Sequence, residues 1–204
     1  NSVDKAVRSA FGNIIACDEK ETLRESFNVY NTLIHMLTTA CFATASITVF
    51  AFVGVYVNNV TDANYIQPIF GIIIITAEML YCLRSPYNSI IYAAGKFKET
   101  KVSAWVEAGL NIIISCVLVP FWGLVGVAIG TLAAVTYRTI SFANYLRKDV
   151  LEFTALSQLK RYGITMFIYM STIMIFSKFS YKPSGYLPWI VYAGIVFFWC
   201  VLLH

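Results

Sequence analysis

The sequence predicts an all-α fold: a polytopic membrane bundle of about six transmembrane helices. Three observations predict it. The chain is 58% apolar and only 13% charged, its mean hydropathy is +0.68, and its charges cluster between apolar runs long enough to span a bilayer. Soluble domains carry nearer a quarter charged residues, and a helix needs about 20 mostly apolar residues to cross hydrocarbon. The net charge of +4 is therefore parcelled into loops, where it orients helices and does not suggest nucleic acid as a partner. The chain opens at Asn1 with no basic-then-apolar leader ahead of it, and it reads as part of a longer protein.

Residues 1–30 alternate apolar and charged side chains, including Asp18-Glu-Lys-Glu21 and Arg24-Glu25. They read as the end of a preceding helix followed by a cytoplasmic amphipathic segment. Residues 31–147 hold four spans and form the core. The first, about Asn31 to Val57, has no formal charge; the second, about Tyr65 to Ala94, is interrupted by Glu78, Arg84 and Pro86. The third and fourth, Val102 to Phe121 and Trp122 to Leu146, meet at Pro120-Phe-Trp-Gly123, a corner too short for anything but a helical hairpin. After a loop at 148–161, residues 162–204 supply two peripheral spans, near Tyr162 to Phe179 and Tyr186 to Leu203, expected to be the least polar. No tandem repeat or low-complexity segment interrupts this order.

Lys and Arg in short loops favour the cytoplasm. Eleven basic residues fall on one side: Lys5, Arg8, Lys20 and Arg24, then Lys96, Lys98 and Lys101, then Arg147, Lys148, Lys160 and Arg161. The opposite side has only Lys178 and Lys182. Both ends are therefore expected in the cytoplasm. Tyr56, Tyr65, Trp122, Tyr186 and Trp189 sit near span ends, where amphipathic rings anchor at the interface. Asn59-Val-Thr61 matches a glycosylation acceptor on the outer side, a pattern without meaning in a bacterial membrane.

Two of the 15 basic residues, Arg84 and Arg138, remain within spans. An arginine at mid-membrane costs about 3 kcal/mol on insertion scales, so it faces a bundle interior or aqueous cavity and has a partner. Helical spacing sorts the neighbouring polar groups into stripes. Tyr81, Arg84 and Asn88 share a face beside Pro86, which removes a backbone donor and kinks a helix. Ser103, Glu107, Asn111 and Ser115 form a polar seam on the third span, while Gly126, Gly130, Ala134 and Arg138 form a small-residue seam on the fourth. His35, Thr39, Phe42 and Ser46 share a face of the first. Glu78 and Glu107 are candidate partners of the two arginines, or candidate proton or cation ligands; His35 is an interfacial hydrogen-bonding residue or a proton relay.

Signatures of hydrolases, P-loops and calcium loops are missing, and the loops are too short for a separate catalytic domain. An enzyme is disfavoured, and no metal or other cofactor is expected. The five cysteines lie far apart without a C-x-x-C pair and read as small packing residues.

From Arg84 to Arg138 the chain resembles the polysaccharide branch of the multidrug/oligosaccharidyl-lipid/polysaccharide exporter superfamily. The resemblance is carried by Arg84-Ser-Pro86, Ala93-Ala-Gly-Lys-Phe-Lys98, Glu107-Ala-Gly-Leu-Asn111 and Trp122-Gly-Leu-Val-Gly-Val-Ala-Ile-Gly-Thr131 with Arg138, in that order and spacing. It implies the second half of a 12–14 helix transporter, with the amino-terminal half supplied by the same longer chain. It also implies a bacterial inner-membrane flippase for undecaprenyl-pyrophosphate-linked oligosaccharide, working by alternating access through a cationic cavity. Arg suits such a cargo, because its planar fork of donors stays charged at low dielectric. Arg84 and Arg138 are the candidate pyrophosphate ligands, Glu78 and Glu107 their charge partners or ion-coupling groups, and Asn88, Tyr81 and Asn111 candidate sugar contacts. Three other readings remain: a cation-coupled multidrug exporter of the same superfamily working through Glu78 and Glu107, a membrane glycan polymerase or ligase, and a non-transporting structural membrane protein.

Overall fold

The computed structural model describes residues 2–56, 66–149, 155–178 and 186–204. These residues are 94% helical and contain no strand. The helices are α1 (Ser2–Ala16), α2 (Lys20–Tyr56), α3 (Pro68–Leu83), α4 (Ser85–Ala93), α5 (Phe97–Trp122), α6 (Leu124–Asp149), α7 (Ala155–Lys178) and α8 (Tyr186–Leu203). The Asn59–Thr61 tripeptide and Tyr65 lie outside the described residues.

Among the described residues, five helical stretches are long and apolar enough to cross a membrane: Lys20–Gly54, Pro68–Ala93, Thr100–Trp122, Leu124–Leu146 and Tyr186–Leu203. The chain is a polytopic α-helical membrane protein by this measure. The sequence anticipated six spans, with the last two the least polar, and α8 fits that description while α7 does not meet the hydropathy of the other five. The reason is visible in the packing. α7 has 24 residues, roughly 36 Å of helix, but alongside Ile168 it buries Gln158, Thr165, Tyr169 and Thr172. Much of the side it turns inward is polar.

The amphipathic stretch at 20–30 differs from expectation too. A turn at Asp18, whose φ is 55°, separates α1 from α2, but from Lys20 onward α2 is one continuous helix of 37 residues. It is the central post, in contact with α1, α3, α4, α7 and α8. Two apolar clusters form around it. One joins Phe11, Leu23, Phe27, Tyr87, Ile90, Ile91, Phe142 and Leu146 from α1, α2, α4 and α6. The other joins Ala40, Ala43, Met79, Leu83, Tyr169 and Cys200 from α2, α3, α7 and α8. Cys200 is the buried member of the five free thiols, whereas Cys17, Cys41 and Cys116 are exposed.

The second span breaks where its proline requires. Pro86 lies in the first turn of α4, where its missing N–H matters least, and the helix is interrupted at Arg84. The corner between α5 and α6 is tighter than the four-residue turn expected, being the single residue Gly123 at φ 54°, a backbone region L side chains rarely adopt. Beyond that corner the two helices lie close together. A Cβ at Gly126 would stand 2.7 Å from the Leu118 carbonyl carbon, and one at Gly130 would overlap Ser115 Oγ.

Gly126→Ala should accordingly lower the thermal unfolding midpoint of the purified protein, at a cost of about 1–3 kcal/mol, because backbone must move to admit the methyl group. Gly109→Ala, where a Cβ meets nothing within 4 Å, should leave the midpoint unchanged or slightly raised.

Candidate functional site

α5 and α6 bring the two sequence seams face to face. Reading along them, Ser115 lies under Gly130, Asn111 Nδ2 donates toward Thr131 Oγ1 at 3.5 Å, and Glu107 meets Arg138. Glu107 therefore projects from the side of α5 that packs against α6. Across from it, the interruption between α3 and α4 puts Arg84 at the point where the chain leaves one helix and enters the next. The Arg84 side chain is 1% exposed.

Arg84 and Arg138 are not paired with separate carboxylates. One carboxylate takes both: Arg84 Nη1 donates to Glu107 Oε1 at 3.0 Å, and Arg138 Nη1 donates to Glu107 Oε2. Glu107 thus bridges three helical segments. The cluster holds two positive charges and one negative, a formal excess of one cation. It also has spare donors, since the Nε of both arginines is buried without a hydrogen-bond partner. Each arginine lies seven to nine residues inside the end of its span, as does Glu107, about 10–15 Å along the helix axis.

Aromatic rings close around the guanidiniums. The Arg84 Cζ lies 4.8 Å from the centre of the Tyr81 ring and 5.5 Å from that of Phe142, and the Arg138 Cζ lies 5.1 Å from the same Phe142 ring. All three distances are within the range of cation–π attraction. Phe142 is a member of this site that the sequence reading did not single out. Its position four residues after Arg138, one turn along the same face, was the available signal.

The remaining candidates separate. Tyr81 is half exposed and holds its ring against Arg84. Asn88, one turn beyond Arg84, leaves its Oδ1 buried without a partner. Asn111 is engaged within the hairpin, accepting from Ser115 Oγ at 3.1 Å as well as donating toward Thr131. Glu78 is exposed on α3 and makes no ion pair among the described residues; it is not a partner of either arginine. Among the described residues no group of three or more His, Cys, Asp or Glu is placed to hold a metal ion.

A cleft of about 660 Å³ lies elsewhere, bounded by Leu80 of α3, Thr136, Ile140 and Ala143 of α6, and Leu159, Gly163 and Met166 of α7. At 100° per residue these α6 positions occupy the side opposite Arg138. The cleft and the charge cluster are therefore distinct features of one helix.

Sharing one carboxylate makes the two arginines interdependent. Glu107→Gln should destabilise the protein by about 3–5 kcal/mol, since it leaves the fully buried Arg84 and the partly buried Arg138 without a counter-charge. Adding Arg138→Met to that variant should recover part of the loss, and a double-mutant cycle on unfolding midpoints should return a coupling of at least about 1 kcal/mol. Comparison with known protein families, characterised proteins and solved structures gives no significant match to this chain.

Proposed function

We propose that this chain is the carboxy-terminal half of a flippase that moves an undecaprenyl-pyrophosphate-linked oligosaccharide from the cytoplasmic to the outer leaflet of the bacterial inner membrane, for surface polysaccharide biosynthesis. The reading rests on one observation: a cluster with one excess positive charge and unpartnered guanidinium donors, positioned on stretches long and apolar enough to span a membrane. An uncompensated cation at that depth is costly. It is tolerable where an anion comes to it, and a pyrophosphate is a dense anion whose oxygens match the arginine fork.

In the proposed cycle Arg84 and Arg138 contact the pyrophosphate. Glu107 holds both side chains extended while the site is empty, and yields donors as the anion arrives. Asn88, with its free Oδ1, and Tyr81 and Asn111 offer hydrogen bonds to the sugars. The two halves of the transporter rock about this site, driven by an ion gradient or by the membrane potential acting on moving charge. No bond in the cargo is broken, so the protein is a transporter and not an enzyme. Its cytoplasmic ends follow from the skew of Lys and Arg among its loops.

A specific observation favours the cation-coupled exporter as the second reading. Glu78 lies within the Pro68–Ala93 span, is exposed, and has no ion pair among the described residues. Glu107 does not serve that reading, because two arginines already neutralise it.

The full-length protein carrying Arg84→Ala with Arg138→Ala should lose surface glycan export when export is normalised to the amount of folded protein in the membrane. Each lost charged hydrogen-bond donor set should weaken cargo binding about ten- to a hundredfold. Arg84→Lys should retain intermediate export, since a point charge replaces the fork only in part. Export that survives in the double alanine variant, together with its loss in Glu78→Gln, would favour the cation-coupled reading instead.

A further inference from the structure

The cleft bounded by α3, α6 and α7 takes no part in the charge cluster. Its volume of about 660 Å³ is within the range of sites that hold small molecules. It exists because α6 packs closely on α3 and α5 but only sparingly on α7. Leu80, Ile140, Ala143, Leu159, Gly163 and Met166 make its wall largely apolar. Polar residues along it are engaged elsewhere. Thr136 and Thr139 donate to the carbonyls of Leu132 and Val135 one turn back, and Gln158 Oε1 accepts from the Tyr87 hydroxyl at 2.7 Å. Ile140 and Leu159 are 56% and 70% exposed, so the cleft opens through the side of the bundle. Its α3 and α6 walls belong to stretches long and apolar enough to span a membrane.

Length and charge distinguish the occupant. Thr136 to Asn144 on α6 and Gln158 to Met166 on α7 each cover about 12 Å of helix, close to the roughly 15 Å of hydrocarbon in one bilayer leaflet. Residues 150–154 join α6 to α7, so Asn144 and Gln158 mark one end of the cleft and Thr136 and Met166 the other. The end with the amides is also the basic one. From Arg147 to Arg161 the sequence carries four basic residues against Asp149 and Glu152. Arg161 is tied to α2, donating to Thr32 Oγ1 and the Asn28 carbonyl. Lys160, next to Leu159 of the wall, is exposed, as is Asn144.

We propose that this cleft binds a resident phospholipid of one leaflet, with an acyl chain between α3, α6 and α7 and an anionic headgroup beside Lys160 and Asn144. Basic residues next to a span attract anionic lipid, and a lysine can lay its stem on apolar surface while its ammonium reaches headgroup level. The cargo's own tail is a different case. The cleft lies on the side of α6 opposite Arg138, so a lipid seated in it is not held by the arginines, and the site is independent of the transport reading.

Photocrosslinking tests the site. The full-length protein is reconstituted in phosphatidylcholine vesicles containing phosphatidylglycerol with a diazirine on its acyl chain, and labelled residues are mapped by mass spectrometry. Ile140 and Met166 should label several-fold more than Phe198 and Leu202, which are exposed on α8. Phosphatidylcholine bearing the same diazirine should label the cleft several-fold less. Gly163→Phe should abolish cleft labelling with the fold intact, because a Cβ there meets nothing within 4 Å. Gly194→Phe, on α8 with equally open surroundings, should leave it unchanged. Cleft labelling no stronger than that of α8, or equal labelling by the two headgroups, overturns the proposal, and both comparisons use the wild-type protein. Displacement of the label by undecaprenyl phosphate but not by unlabelled phosphatidylglycerol overturns it in favour of the cargo's tail.

Discussion

A single carboxylate shared by two guanidiniums is the constraint around which this structure is arranged. Glu107 sits on α5, Arg138 on α6 and Arg84 at the junction of α3 and α4. Arg84 is fully buried and Arg138 partly so, and both direct their ion pairing to the one anion. The arrangement fixes α5 and α6 against α3 and α4 by direct ion pairing and leaves a residual positive charge at the place where they meet. The rings of Tyr81 and Phe142 reduce the cost of that charge without cancelling it.

The hairpin of α5 and α6 supports this arrangement through shape. Gly123 allows a one-residue reversal, and Gly126 and Gly130 let the backbones approach until Ser115 and Leu118 fill the space a side chain would need. Membrane helices gain little from hydrophobic driving force, so such close contact supplies much of their association. The close approach also aligns the polar residues of α5 with the small residues of α6, which delivers Glu107 to Arg138 instead of to lipid. Packing at one end of the hairpin thus sets the electrostatics at the other.

Along the contacts of α2 with α7 and α8, polarity is handled differently. Besides Arg161, which donates to Thr32 Oγ1 and the Asn28 carbonyl, the groups there are neutral: Ser46, Thr76 and Tyr169 satisfy one another, and Trp189 Nε1 of α8 donates to the Thr48 carbonyl at 3.0 Å.

Composition and periodicity determined a good deal. Apolar runs of spanning length fixed the helical, membrane-crossing class, because no other structure satisfies the backbone in lipid except a closed barrel. The stripes at four-residue spacing identified the faces of α5 and α6 that meet, and two arginines within spans marked the charged centre. Neighbour relations between helices were not legible, since spacing within one helix carries no information about which residue of another lies opposite. Thus Glu78 and Glu107 were equivalent on paper, yet only Glu107 receives the arginines, while Glu78 lies exposed on α3. Likewise the polar character of α7 lowered its hydropathy in sequence, and only packing against α2 reveals that those polar groups point inward. The sequence by itself determined which residues must be kept from lipid; the tertiary structure decided what each of them meets, because that depends on crossings between helices far apart in the chain.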